Sequence, residues 1–138
     1  MNAAIFAIAL ATAGTGDTFD LLCAGEVSTE SIAENKTEPY SHRYRVDLAS
    51  GQWCDGDCAQ VNTIAKINPG SIVFENIDKD APSERVRQIN NVSRETGQHL
   101  ALYTYRSSAG PMSILTIRWR GMCERADFSG FPKGGAKF

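Results

Sequence analysis

The segment 114–123, ILTIRWRGMC, constrains this chain more than any other stretch of its sequence. β-Branched and aromatic residues alternate there with threonine and arginine, the pattern of a half-buried antiparallel strand, and the run ends on Cys123. That cysteine needs a partner. Segment 19–23, FDLLC, is a second strand-like run that also ends on one. A Cys23–Cys123 bridge joins the first strong strand to the last, and a chain tied that way forms a sheet that curves back on itself.

The segments between them read as further strands. HRYRVDL (42–48) places Tyr44, Val46 and Leu48 on one face and Arg43, Arg45 and Asp47 on the other. Residues 61–67 and 71–77 are strand-like on either side of Asn68-Pro69-Gly70, where Pro presets φ and Gly accepts a positive one. Residues 85–93 and 98–106 flank a short hairpin in which Gly97 supplies the left-handed residue. The polar stretch 26–39 lacks an apolar stripe and is predicted as a loop with at most one or two helical turns, and 78–83 as a charged loop. About seven strands result, and no long helix. The prediction is an all-β chain: a small antiparallel up-and-down barrel, with a two-sheet sandwich as the alternative. Closure is preferred because it removes exposed strand edges.

At 138 residues the chain has room for one domain with a core of its own. A net charge of −2 lacks the basic footprint that phosphate neutralisation needs, and Arg118 and Arg120 on one strand read as a solvated face, so no nucleic-acid partner is predicted. Residues 1–13 form an apolar run that closes on Ala11-Thr12-Ala13, the small-x-small pattern of a signal-peptidase site. The expectation is export to the periplasm or beyond, with a buried N-terminal helix or strand as the competing reading. No segment is long enough to span a bilayer as a helix, so no integral membrane segment is predicted. The domain is placed at 14–132, with 133–138 as a flexible tail. Four cysteines suit an exported protein with two disulfides. Of the three connectivities, Cys54–Cys58 with Cys23–Cys123 is favoured.

The chemistry-bearing residues are few. Cys54-Asp55-Gly56-Asp57-Cys58 offers two thiols and two carboxylates, but no second cysteine or histidine pair completes a zinc site. Three intervening residues also depart from the redox spacing of two, so a structural disulfide is the reading and no metal or cofactor is predicted. His42 and His99 are the only histidines, and no nucleophile elbow, zinc-protease helix or phosphate loop accompanies them. Catalytic residues are therefore predicted as none. Trp53, Trp119, Tyr44, Tyr103 and Tyr105 either line a cavity or fill a packed interior. The loop that carries Trp53 and the aromatic tail with Phe128 and Phe131, expected over an open end of the sheet, are the predicted binding surfaces.

Tyr44-Arg45-Val46-Asp47-Leu48, Trp53-Cys54 with Cys58, Arg94-Glu95-Thr96-Gly97 and the closing Phe128-Ser129-Gly130-Phe131-Pro132 resemble small exported proteins of alphaproteobacteria. That resemblance implies compartment and a single domain, and transfers no catalytic residue. A more distant one is to the periplasmic inhibitors of C-type lysozyme, small antiparallel barrels with an early aromatic-x-cysteine and a late cysteine. It implies that the Ser50-Gly51-Gln52-Trp53 loop reaches an enzyme, with its aromatic one place early. The expected function is a non-enzymatic exported barrel that binds a protein or small ligand at the bacterial envelope, with inhibitor-like action as one form of it. The alternatives are a hydrolase that uses His42 or His99 with a carboxylate such as Asp47, and a structural envelope component.

Overall fold

In the computed structural model, which describes residues 16–108 and 113–132, the chain is all-β. The strands are β1 (Thr18–Ser31), β2 (Asn35–Asp47), β3 (Gln52–Asp55), β4 (Asn62–Thr63), β5 (Lys66–Ile67), β6 (Ser71–Ala81), β7 (Glu84–Ser93), β8 (Gln98–Ser107) and β9 (Ser113–Ala126). They form one antiparallel sheet in the order β4-β3-β2-β1-β9-β8-β7-β6-β5. The proposed signal segment and the tail 133–138 lie outside the described residues. No helix among the described residues is long and apolar enough to cross a membrane.

Alternation sets the concave face. Phe19, Leu21 and Cys23 of β1 point inward, as do Tyr44 and Val46 of β2, Trp53 of β3 and Ile72 and Phe74 of β6. First and last long strands are neighbours, with Cys23 opposite Cys123 and bonded to it. Cys54–Cys58 is the second bridge, and Cys58 takes a positive φ of 61° in that tight loop. Gly97 takes the left-handed conformation in the β7–β8 hairpin, at a φ of 80°.

The closed seven-strand barrel is corrected to a nine-stranded half-barrel. The segment 61–67 is not one strand: β4 continues the ladder from β3, and β5 begins the ladder to β6. Between them, Ile64 N–H donates to Gly51 O at 2.8 Å and Ala65 N–H to Phe74 O at 3.2 Å. Two consecutive residues thus join the sheet margins at one end without a β4–β5 ladder. At the other end the margins part. β3 pairs with β2 only over Tyr44–Asp47, and β5 with β6 only over Ile72–Val73. The rest of β2 and β6 has a ladder on one side only.

The loop and helical turns expected at 26–39 are instead the outer halves of β1 and β2, paired in register from Glu26↔Pro39 to Glu30↔Asn35. Their polarity reflects exposure on a projecting hairpin, and Pro39 is tolerated because β2 is an edge there. The charged loop at 78–83 is likewise mostly strand, with Asp78 opposite Arg87 and Asp80 opposite Arg85.

The tail does not cover an open end of the sheet. It lies on the convex face, where Asp20 points away from the core. Ser129 donates to Asp20 through its backbone N–H at 3.1 Å and its hydroxyl at 2.7 Å, and Arg43 Nε donates at 2.6 Å. Arg45 Nη1 adds a bond to Gly130 O at 2.8 Å. Burial pushes the Asp20 carboxyl up, but the bonds from Ser129 and Arg43 outweigh it and hold the group below its ordinary range.

Candidate functional site

Where the sheet margins part, β2, β3, β6, β7, β8 and β9 enclose a cleft of about 200 Å³. Its floor follows from two glycines. Tyr40, Gly25, Gly121 and His99 are consecutive partners across β2, β1, β9 and β8. A Cβ at Gly25 would stand 2.1 Å from Arg120 O, and one at Gly121 would stand 2.2 Å from Ala24 O and 2.6 Å from the Tyr40 hydroxyl. Only hydrogen fits at either position. With no side chain between them, Tyr40 and His99 reach over two strands and bond at 2.6 Å.

His99 is 1% exposed and sits over the Cys23–Cys123 bridge. Its Nε2 faces Asn90 Oδ1 at 2.9 Å, and Asn90 Nδ2 donates to the Tyr44 hydroxyl at 3.0 Å. Asn90 Oδ1 can only accept, so Nε2 carries the imidazole proton and Nδ1 accepts from the Tyr40 hydroxyl. Burial first, and the charge of His42 second, lower the His99 pKa to about 4. The ring is neutral at physiological pH. Burial likewise raises both tyrosines, so Tyr40 and Tyr44 stay protonated. This is a satisfied buried network that fixes the floor.

The acidic wall comes from a bulge. The register shifts between Val73 and Glu75, which inserts Phe74 and sets Glu75 opposite Asn90, on the concave side. Gln88 Nε2 donates to the two Glu75 carboxylate oxygens at 3.2 and 3.1 Å. Burial pushes the Glu75 carboxyl up, Gln88 pulls it back, and the negative charge of Asp55 adds to the rise. Across the cleft His42 Nε2 lies 3.2 Å from Asp55 Oδ2. Tyr103 and Trp119 complete the wall, and no Lys, Arg, Ser, Thr or Cys is among the described residues that line the cleft.

The predicted binding residues do not converge here. Trp53 is 3% exposed and packs between Tyr44 and Phe74, at ring distances of 5.8 and 5.0 Å, so it is a core residue rather than a rim anchor. Phe128 and Phe131 contact each other edge-on at 5.3 Å on the tail over the convex face. Of the aromatic residues read as cavity-lining or core, Tyr44, Tyr103 and Trp119 line the cleft, whereas Trp53 fills the interior. His42 pairs with Asp55, while Asp47, its predicted carboxylate, accepts from Ser50 N–H in the turn after β2.

Sequence reasoning missed Glu75, Asn90 and Gln88. Only strand register brings them together, though Asn90 and Gln88 at inward positions of an alternating strand are the kind of polar interruption that marks a site. No family model, no curated protein and no solved structure matches this chain.

Proposed function

We propose that this is a non-enzymatic exported protein of the bacterial envelope whose cleft binds a small ligand or a projecting side chain of a protein partner. The observation that carries the reading is the cleft's composition: aromatic walls, a half-buried carboxylate and a floor of neutral, mutually bonded side chains, with no Ser, Thr, Cys or Lys among the described lining residues. At about 200 Å³ it lies below the ~300–1,000 Å³ of sites for drug-sized ligands, which suits a compact group. Two disulfides and the resemblance to exported alphaproteobacterial proteins support the compartment. In an inhibitor-like version of the same reading, burial of Trp53 leaves Ser50 and Gly51 as the groups the loop presents to an enzyme, with Phe128 and Phe131 as a second partner surface.

The test is native mass spectrometry of the protein recovered from its own exporting cells without reductant, beside Trp119→Ala and Tyr103→Ala variants. A bound mass that both variants lose supports the cleft. An adduct that both variants retain refutes it, as does a wild-type protein that stays bare and unaltered across a panel of envelope-derived small molecules and proteins.

The His42–Asp55 pair favours a second reading, a hydrolase in which His42 activates water beside Glu75. Turnover of any ester or glycoside that His42→Ala abolishes would establish it in place of the first.

A further inference from the structure

We propose that the group the cleft accepts is an alkylammonium, a methylated amine of about the size of choline's head. The inference rests on the cleft being a recognition site and adds the chemistry of what enters. Glu75 is the deciding residue. Its carboxylate is partly buried, accepts from Gln88 alone, and has no ion-pair partner among the described residues. A carboxylate withdrawn from water without a counter-charge is costly, and the cost falls when a cation arrives.

Nothing else on the cleft wall supplies that cation. The one ring there able to carry a charge beside it, His42, is already placed against Asp55. Lys36, on the same face of β2 further out, is held between Glu34 and Glu38 at 3.4 and 3.0 Å. His99 is buried and bonded on both ring nitrogens, so it adds no repelling charge. The rest of the lining combines the rings of Tyr40, Tyr44, Tyr103 and Trp119, residue types whose π faces attract cations, with the apolar side chains of Ile89, Ala101 and Leu102, which suit methyl groups.

Other ligand classes fit less well. An anion would meet two carboxylates, Asp55 and Glu75, and no guanidinium or ammonium among the described lining residues. A purely apolar group would strip water from Glu75 and return nothing. A bare primary ammonium needs hydrogen-bond acceptors on several sides, and beside Glu75 the nearby acceptors Asp55 and Asn90 Oδ1 are already bonded to His42 and His99. The methylated amine satisfies charge and surface together.

The experiment is a titration followed by NMR at the Trp119 indole N–H and the Tyr103 ring signals. The probes are choline and its neutral isostere, in which carbon replaces the nitrogen. Choline is expected to shift these signals saturably, at least about tenfold more tightly than the isostere. Glu75→Gln is expected to weaken choline about tenfold and leave the isostere unchanged. If the isostere binds the same residues as tightly as choline, the charge argument is overturned while the cleft stands as a ligand site. If neither probe moves a cleft signal, the alkylammonium inference is overturned. The cleft itself is then judged separately, by the adduct and its loss in the Trp119 and Tyr103 variants. A choline affinity unaltered in Glu75→Gln overturns the inference as well.

Discussion

Acidification from about pH 7.5 to about pH 5 is expected to destabilise the protein by about 2 kcal/mol through His99 alone. The ring's pKa is lowered in the folded state to about 4, whereas the unfolded chain has the ordinary 6.5. The unfolded state therefore binds a proton first as pH falls. Stability drops by about 1.4 kcal/mol per unit below pH 6.5 and levels off near the folded value, at a total of about 3 kcal/mol. The chosen window captures about two-thirds of this and stays above the range where Asp20, held low by Ser129 and Arg43, begins to protonate. Glu75 acts in the opposite direction, because its raised carboxyl binds protons more readily folded than unfolded. Both groups are common to wild type and His99→Gln, so the difference between the two proteins isolates the histidine. The assay is urea unfolding at the two pH values for each protein, with the His99 ring signals of wild type followed over the same range. His99→Gln should be less stable at the higher pH but should lose about 2 kcal/mol less on acidification. Equal losses in the two proteins, or a His99 that titrates near its ordinary value, would refute the buried-network account.

Three other perturbations follow from the fold. Gly121→Ala should cost about 3 kcal/mol in denaturant unfolding, because its Cβ would meet Ala24 O and the Tyr40 hydroxyl, while Gly130→Ala meets no atom within 4 Å and bears only the strain of its positive φ. A Gly121→Ala protein as stable as Gly130→Ala would show that the floor can relax. Replacing Cys23 and Cys123 by Ala should lower stability by about 4 to 5 kcal/mol if loop entropy governs, against about 2 for the pair Cys54 and Cys58, which is four residues apart; calorimetry of the two double variants gives the order. Ser129→Ala removes one of two Ser129 bonds to a buried carboxylate and should cost about 1.5 to 3 kcal/mol, read as a lowered unfolding midpoint, and release the tail to proteolysis.

The fold was legible where one face of a strand is buried and alternation is therefore enforced. Tyr44-Arg45-Val46 and the β7–β8 hairpin around Gly97 are examples, and the cysteine spacing gave the β1–β9 neighbours. It was illegible at residues 26–39, where both faces of the β1–β2 hairpin are largely wet and no hydrophobic period remains. The break at Ile64–Ala65 was equally hidden, because an uninterrupted β-prone run can end one ladder and start another. For the site, the aromatic residues were visible as types. Their division between core and cleft was not, since it depends on the bulge at Phe74 and on two glycines that permit contact across four strands.

Among the described residues every ladder but one joins strands that follow each other in the chain; β1–β9 is the exception. The hairpins can form within microseconds from local contacts, whereas the β1–β9 seam waits for segments 100 residues apart to meet. On contact-order grounds the seam is the step expected to limit folding. An oxidised chain begins with its two slowest partners already adjacent, so the bridge between them shortens the search as well as deepening the minimum.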